Sequence, residues 1–475
     1  MFETVMFMGH QDIRYFIILV ALMKTGHKVL LSSHHNSVAG HAELIKQSDC
    51  GIMLYASGFP VHPILERCRM ESVCIPELDY LLDDAMSCEE FPYEKTFDEA
   101  KMHPCMVIHT SGSTGLPRPV VWTNWTMAGI DSEHLISPSN GRPTLWGGIL
   151  TQNSRRAFSA LPVSQGSGLV SAITRVCYGN TTIVIGPPGL PSADTIAEMI
   201  DNADIDSVFC VPATLEEAAT RPDILPKLGQ LKYVAYTGTF LSQPAGDSIS
   251  QIVPLYSVMA STEISILAQY ATDPEDWQYI HPNTHISGIQ MRPYRNLYEL
   301  VIVRNDKQAD DQGIFKNFPH LHEFPTSDLY DAHPSKPGLW KYVGRADDMI
   351  VLKNGWNFHP GMLEQLLASH SAVRHCVVLG TGRHVPAALI ELVEDRDDVV
   401  GQGEVMRMLG PLIDRANSYS DGAGQLRKDC VIFAKKGKPF AVVGKGSVQR
   451  GATIALYEKE IERLYSEVSA GGVKM

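Results

Sequence analysis

The amino-acid sequence predicts an α/β protein: a large N-terminal domain of mostly parallel sheets flanked by helices, and a small α+β domain at the C-terminal end. Three observations predict it. Helical runs hand over repeatedly to short β-rich runs, the pattern of parallel strands covered on both faces. After Leu297 the texture changes to short strands separated by Gly, Pro and Asp. The 475 residues suffice for two or three folding units at roughly 150 residues each. Apolar residues make up 44% and charged residues 20%, which excludes both a disordered chain and a long coiled coil.

The elements follow in order. IRYFIILVALMKTG reads as a buried helix ending near Gly26, and HKVLLSS as the strand after it. ADTIAEMIDNADIDSVFCV repeats the unit, an amphipathic helix, an acidic turn and a buried strand, and KLGQLKYVAYTG ends in another strand running into Gly238. YELVIVRN opens the β-rich region. Beyond it, a helix is expected from Pro360, strands at HCVVLG and AALIELV, a solvated acidic loop at EDRDD, and one closing helix in TIALYEKEIERLYSEV. Ile454, Tyr457, Ile461, Leu464 and Val468 fall on one face of that helix, and Thr453 is placed to cap it.

Forty basic against 53 acidic residues leave a net charge of −13, which repels polyanions, so no nucleic-acid partner is expected. Nine scattered cysteines without a Cys-x-x-Cys pair fit neither a disulfide framework nor a zinc knuckle. The apolar run Tyr15 to Met23 is far short of the roughly 20 residues of a membrane span. The opening MFETVMFMGHQD lacks a basic signal region. A cytoplasmic protein with no membrane partner is therefore expected.

The richest chemistry lies in MVIHTSGSTGLPRPVVW. An apolar run ends at His109, and Thr110, Ser111, Gly112, Ser113, Thr114 and Gly115 form a loop of small and hydroxyl residues. Such a loop offers backbone N–H and hydroxyl donors to phosphate oxygens at close approach. Pro117 and Pro119 around Arg118 argue that it joins two strands and does not open a helix as a Walker loop does. The plain alternative is an ordinary Gly/Ser hairpin. FPHLHEFPTSD brings His320, His322 and Glu323 together, but flanking prolines and the lack of a third histidine at helical spacing argue against a metal site.

HTSGSTGLPRPV resembles the phosphate loop of the adenylate-forming superfamily. Four further strings follow in that family's order: YSVMASTE, TSDLY, YVGRADDMIVLKNGWNFHPGMLE and VGKGSVQR. Together with the opening and closing segments, they look most like adenylation domains of peptide-synthetase-like and carboxylic-acid-reductase-like enzymes. The resemblance implies a large AMP-binding domain over 1–346, short at its N-terminus, and a mobile lid domain over 347–475 turning about Asp347.

It also implies ATP and Mg²⁺ as cofactors, with Lys445, Thr262 and Glu263 as the catalytic set. Thr262 would bond the α-phosphate, Glu263 would hold the Mg²⁺, and Lys445 would reach the reacting oxygens from the lid. Asp328 would take the ribose hydroxyls and Arg345 would contact the ribose and phosphate side. The same resemblance places His109 through Gly115, Arg118, Gln165, Gly238, Ser257, Met259, Ala260 and Tyr342 around the nucleotide. Several positions depart from the family pattern: Arg118 stands for a lysine, Met259 for an aromatic, Ala260 for a glycine and Gln165 for a histidine or aromatic. Lys445 lies five residues before Arg450, where many synthetases place it three before. Taken singly, each has an ordinary alternative: a helix start for Thr262 and Glu263, a surface turn for Asp328, a surface ion pair for Arg345, a loop residue for Asp347 and a solvated charge for Lys445.

The segment RRAFSALPVSQG contains no acid to receive an α-ammonium, so the resemblance favours an aryl, keto or aliphatic carboxylic acid over an α-amino acid. After Lys445 the chain is too short for a carrier domain, which points to CoA or a separate phosphopantetheinyl carrier protein as the thiol acceptor. Two other readings stay open on sequence: an acyl-CoA ligase, and a degenerate, non-catalytic nucleotide-binding or scaffold protein.

Overall fold

The computed structural model describes residues 2–34, 36–83, 85, 89–110, 116–187, 191–393, 399–417, 424–442 and 448–470. The chain divides into two compact units. The larger holds the residues up to Tyr342 apart from Ser327–Leu329, and the smaller holds those three and the chain from Val343 onward. The fold is α/β, with parallel sheets in the larger unit and mixed helix and strand in the smaller.

The larger unit opens with β1 (Thr4–Met8), β2 (Lys28–Leu31), β3 (Cys50–Tyr55), β4 (Glu71–Cys74), β5 (Pro104–Thr110) and β6 (Arg118–Thr123). They form one sheet in the order β4-β3-β1-β2-β5-β6. All neighbours are parallel except β5 and β6. β1 is buried along its whole length, and the helix Arg14–Lys24 that leads to β2 buries Tyr15, Ile18, Leu19 and Leu22. That spacing gives the helix one apolar stripe to lay on the sheet.

A second sheet comprises β7 (Arg156–Ser159), β8 (Thr182–Ile185), β9 (Ser207–Cys210), β10 (Tyr233–Thr237) and β11 (Leu255–Val258). Its order is β11-β10-β9-β7-β8 and every pairing is parallel. The helices between these strands carry their own start signals, such as the capping box of Ser192 and Thr195 ahead of Ala193–Asn202. The two sheets share a core in which Phe7, Met106 and Ile108 meet Trp146, Leu169, Phe209 and Val258.

A short hairpin of β12 (Ala260–Ser261) and β13 (Ser265–Ile266) follows. The third sheet contains β14 (Gln269–Tyr270), β15 (Tyr279–Pro282), β16 (Ile289–Tyr294), β17 (Leu297–Val303), β18 (Glu323–Ala332) and β19 (Trp340–Arg345), in the order β14-β15-β19-β18-β17-β16. The β-rich region thus starts at Gln269 and not at Leu297. Strands of two to four residues, such as β14 and β15, are too short to show a period of two.

In the smaller unit β20 (Ile350–Val351) pairs with β21 (Asn357–Phe358), and the helix Gly361–Ala368 follows. β22 (Val373–Leu379), β23 (Ala387–Leu392) and β24 (Val431–Phe433) form a sheet in that order. The helix Val399–Asn417 packs Val405, Leu409, Ile413 and Ala416 into the core beside it. The expected acidic loop EDRDD lies outside the described residues.

The closing segment is two helices, Arg450–Leu456 and Glu458–Ala470, and not one. The break falls at Tyr457, whose ring is fully buried and whose hydroxyl donates to the Lys438 carbonyl oxygen. Thr453 is not the cap, since the first helix begins three residues earlier. Its hydroxyl instead accepts the Ala441 N–H at 3.2 Å. The apolar face itself forms, with Ile454, Tyr457, Ile461, Leu464 and Val468 all in or against the small unit's core.

Candidate active site

The phosphate-loop string is mounted on a hairpin. β5 and β6 pair through His109 with Pro119 and Thr110 with Arg118, so two antiparallel strands hold the ends of the loop, as the prolines suggested. Ser111, Gly112, Ser113, Thr114 and Gly115 themselves lie outside the described residues. At the hairpin's end His109 Nε2 accepts the Ser33 N–H at 3.1 Å and stands 3.2 Å from the Asn36 amide. Gln165 Nε2 donates to the Ser33 hydroxyl at 3.2 Å. Ser33, just past the end of β2, therefore ties His109 to Gln165. Burial, with His109 nearby, pushes the neighbouring His41 imidazole down to about 4, and it pairs as a neutral ring with Ser32.

Gln165 stands at the N-cap position of the helix Gly166–Gly179, and Gly168 in its first turn is required by space. A Cβ on Gly168 would lie 2.2 Å from the Pro162 carbonyl oxygen. Beside Gln165, Ser164 donates its N–H to Gln11 Oε1 at 3.1 Å, and the Gln11 amide reaches the Ser164 hydroxyl at 2.6 Å. His34 closes this polar network between Gln11 and the Tyr15 hydroxyl. All of it sits at the carboxyl ends of β1, β2 and β5, the edge where parallel α/β sheets bind ligands.

Thr262 and Glu263 form the turn between β12 and β13, so the helix start that these residues suggest in isolation is not what they adopt. The turn is anchored to the β5–β6 hairpin. Trp122 of β6 donates its indole N–H to the Thr262 carbonyl at 2.8 Å, and the Asn317 amide donates to the Glu263 carbonyl at 3.0 Å. Both backbone carbonyls are held, while the half-buried Glu263 carboxylate has no hydrogen-bond or ion-pair partner among the described residues. A carboxylate fixed at its backbone and unpaired at its head is the donor a hard cation takes.

The strand ends leading to this turn form a wall. β10 ends at Thr237, and Gly238 takes φ +106°, a conformation glycine adopts without strain. Ser257 gives its carbonyl to the Gln269 amide at 2.6 Å, and Gln269 Oε1 accepts the Met259 N–H at 3.3 Å. The Tyr330 hydroxyl contacts Met259 Sδ at 3.2 Å. Tyr342 stands edge-on to Tyr330 at 5.6 Å and near Phe240 at 6.4 Å between ring centroids. Ala260 begins β12, next to Met259.

In the smaller unit Arg345 Nη1 is 3.5 Å from Asp328 Oδ1 and its Nη2 is 3.1 Å from Asp347 Oδ2, which brings together the three acidic and basic residues singled out there. Lys445 lies outside the described residues. Glu323 pairs with Arg292. Asp273, Glu275 and Asp276 meet in one acidic cluster, and each is paired with Arg142 or Lys336.

The family model for the AMP-binding enzyme matches residues 3–292, and the AMP-binding enzyme C-terminal domain matches residues 347–469. The chain belongs to the AMP-binding enzyme family. This AMP-binding enzyme is thereby an adenylate-forming enzyme. It is 32% identical over 478 residues to a carboxylic acid reductase of Neurospora crassa, across 99% of this chain and 45% of that protein. It is 31% identical to an isocyanide synthase–NRPS hybrid of Aspergillus fumigatus, across 98% of this chain and 29% of that protein. The AMP-binding enzyme thus spans less than half the length of these relatives. Among solved structures, its fold matches the Bacillus subtilis O-succinylbenzoate coenzyme A synthetase with a TM-score of 0.67 at 16% identity, over 94% of this chain and 87% of that one. It likewise matches the Burkholderia xenovorans benzoate CoA ligase at 0.68 and 16%, over 95% and 89%.

Sequence reading of this AMP-binding enzyme missed Gln11, Ser33, His34, Trp122 and Tyr330. None carries a local signal. Each becomes visible only through a partner far away in the chain, as Trp122 does through Thr262 at a separation of 140 residues.

Proposed function

We propose that this enzyme activates a carboxylic acid without an α-amino group, aryl, keto or aliphatic, and passes the acyl group to a thiol supplied by CoA or a phosphopantetheinyl carrier. The acid's carboxylate oxygen attacks the α-phosphorus of ATP, the bond to the bridging oxygen breaks, and pyrophosphate leaves with that electron pair. The thiol then attacks the acyl carbon and AMP departs. The names of the relatives, which include a carboxylic acid reductase, support the substrate class.

One observation carries the reading: the turn bearing Thr262 and Glu263 is bolted through Trp122 to the hairpin that holds the phosphate-loop segment. Two anions must be brought together, so the site has to fix donors and cations before the charge develops. Thr262 would bond the α-phosphate from the turn whose carbonyl Trp122 holds, and Arg118 would supply positive charge at the hairpin. Glu263 would hold Mg²⁺, which when bound offsets charge on the phosphate oxygens. The wall of Gly238, Met259, Tyr330 and Tyr342 would take the base, Asp328 the ribose hydroxyls, and Arg345 the ribose and phosphate side. Gln165, Ser257 and Ala260 would complete the nucleotide surround. Asp347 is the hinge and Lys445 the cation delivered to the reacting oxygens, in a division of domains at 346/347.

ATP–pyrophosphate exchange over a panel of carboxylic acids tests this. Exchange is expected with an aryl, keto or aliphatic acid and not with free amino acids, and preference for an amino acid overturns the substrate class. Glu263→Gln is expected to lower the exchange rate by about a hundredfold and to flatten its Mg²⁺ dependence. An unchanged magnesium titration in a folded variant removes Glu263 from the metal.

A further inference from the structure

We propose that Glu364 and Arg450 form a positioning pair that sets the stem of the segment bearing Lys445 and ties it to the hinge turn. The inference rests on the adenylation reading above, in which Lys445 acts.

Arg450 opens the helix Arg450–Leu456, and its guanidinium points three ways. Nη1 donates to the Val378 carbonyl oxygen at 2.5 Å, Nη2 to Glu364 Oε1 at 2.5 Å, and Nε lies 3.5 Å from Asp348 Oδ1. Glu364 Oε1 also accepts the Val378 N–H at 2.6 Å. One residue of β22, the edge strand of its sheet, therefore has both backbone groups clamped by the pair. Both side chains are largely buried, at 17% and 23% exposure. Asp348 closes the turn Ala346–Asp348 that contains the hinge residue.

On the other side of Arg450 the backbone is equally constrained. The Gln449 N–H donates to the Ala441 carbonyl at 2.7 Å, and Val442 and Val448 form an antiparallel bridge. These contacts draw together the two ends of residues 443–447, which include Lys445. Four parts of the small unit thus meet at one ion pair: the helix Gly361–Ala368, the edge of β22, the hinge turn and the lysine segment's stem.

Buried ion pairs seldom stabilise a fold more than well-packed apolar groups would, and Leu363, Leu366 and Leu367 show that apolar packing serves this region. What the pair adds is direction. A forked guanidinium against a carboxylate fixes angle as well as distance, and a small misplacement of a reacting group costs more in rate than in binding.

The test compares Glu364→Leu/Arg450→Met, which keeps the packing volume, with Arg450→Lys and Glu364→Gln. Pyrophosphate exchange is read as kcat and ATP KM, alongside the melting temperature and amide hydrogen exchange at Val448 and Gln449. The apolar double variant is expected to stay folded, to lose about tenfold or more in kcat and to keep ATP KM within about twofold. Arg450→Lys, which keeps the charge and loses the fork, is expected to show the same split, with faster amide exchange at both positions. A folded double variant with wild-type kcat overturns the proposal, as does unchanged amide exchange in Arg450→Lys. Should the unmodified protein exchange pyrophosphate with no acid, the functional reading falls, and the amide exchange still decides whether the pair holds the stem.

Discussion

Glu133 is a carboxyl with almost no water around it. It is 3% exposed, and its Oε2 is met by the Gly147 N–H at 3.4 Å from the π-helical turn Leu145–Leu150. Gly147 has no side chain because a Cβ there would sit 2.7 Å from the backbone of Glu133 and His134. Burial pushes the carboxyl up to about 8, with the Asp311 charge adding to the effect. In the unfolded chain the group ionises near 4.5, so the unfolded state releases its proton first. Stability from this residue is complete below about 4.5 and declines as pH rises toward about 8. Glu133→Gln keeps the shape and cannot ionise. It is expected to be more stable than wild type at pH 8 by on the order of a few kcal/mol and so to melt higher, with the gap closing by pH 5. Thermal scans at the two pH values check it, and an equal gap at both would show that Glu133 is ionised in the native state. Nothing in the string DSEHL marks this residue. Its burial depends on a turn twelve and more residues away, which a local pattern does not contain.

Gly344 belongs to the scale of the element, since it sits where β19 passes into the turn Ala346–Asp348. Its φ is +144°, and a Cβ would fall 1.9 Å from the His359 ring. That ring is itself fixed by the Gly361 N–H, which donates to Nδ1 at 3.2 Å. Gly344→Ala therefore meets both backbone strain and a steric clash, and is expected to destabilise the small unit by about 1–3 kcal/mol, read by calorimetry. His359→Ala in the same chain should restore the steric part only, and full recovery would mean that backbone strain contributes nothing. Elements of this kind were unevenly legible. The β5–β6 hairpin could be read from Pro117 and Pro119, because proline excludes a helix there. The helix Val399–Asn417 could not, because Gly401, Gly403, Gly410 and Pro411 interrupt it, although Val405, Leu409 and Ile413 keep helical spacing. The motif residues of the site were legible one at a time. What joins them, Ser33 between His109 and Gln165 or Trp122 under Thr262, was not, because it is made by tertiary packing.

At the scale of the molecule, the parallel character of the first two sheets was legible in the repeated helix-to-strand units, whereas strand order was not. In the first sheet that order is β4-β3-β1-β2-β5-β6, so β1 stands in the middle of the sheet although it precedes all its neighbours in sequence. β1 pairs on one side with β2 and on the other with β3, and its five residues are all buried. A chain without β1 lacks the seam between the two halves of the sheet. β2 and β3 would each lose a row of backbone partners in the interior, where water does not replace them. A chain with residues 2–8 deleted is accordingly expected to be insoluble or rapidly degraded, judged by soluble yield and by circular dichroism. Recovery of a folded, soluble product would show that β2 and β3 can close on each other. Loss of this one strand therefore opens the sheet at its centre and yields no shortened enzyme.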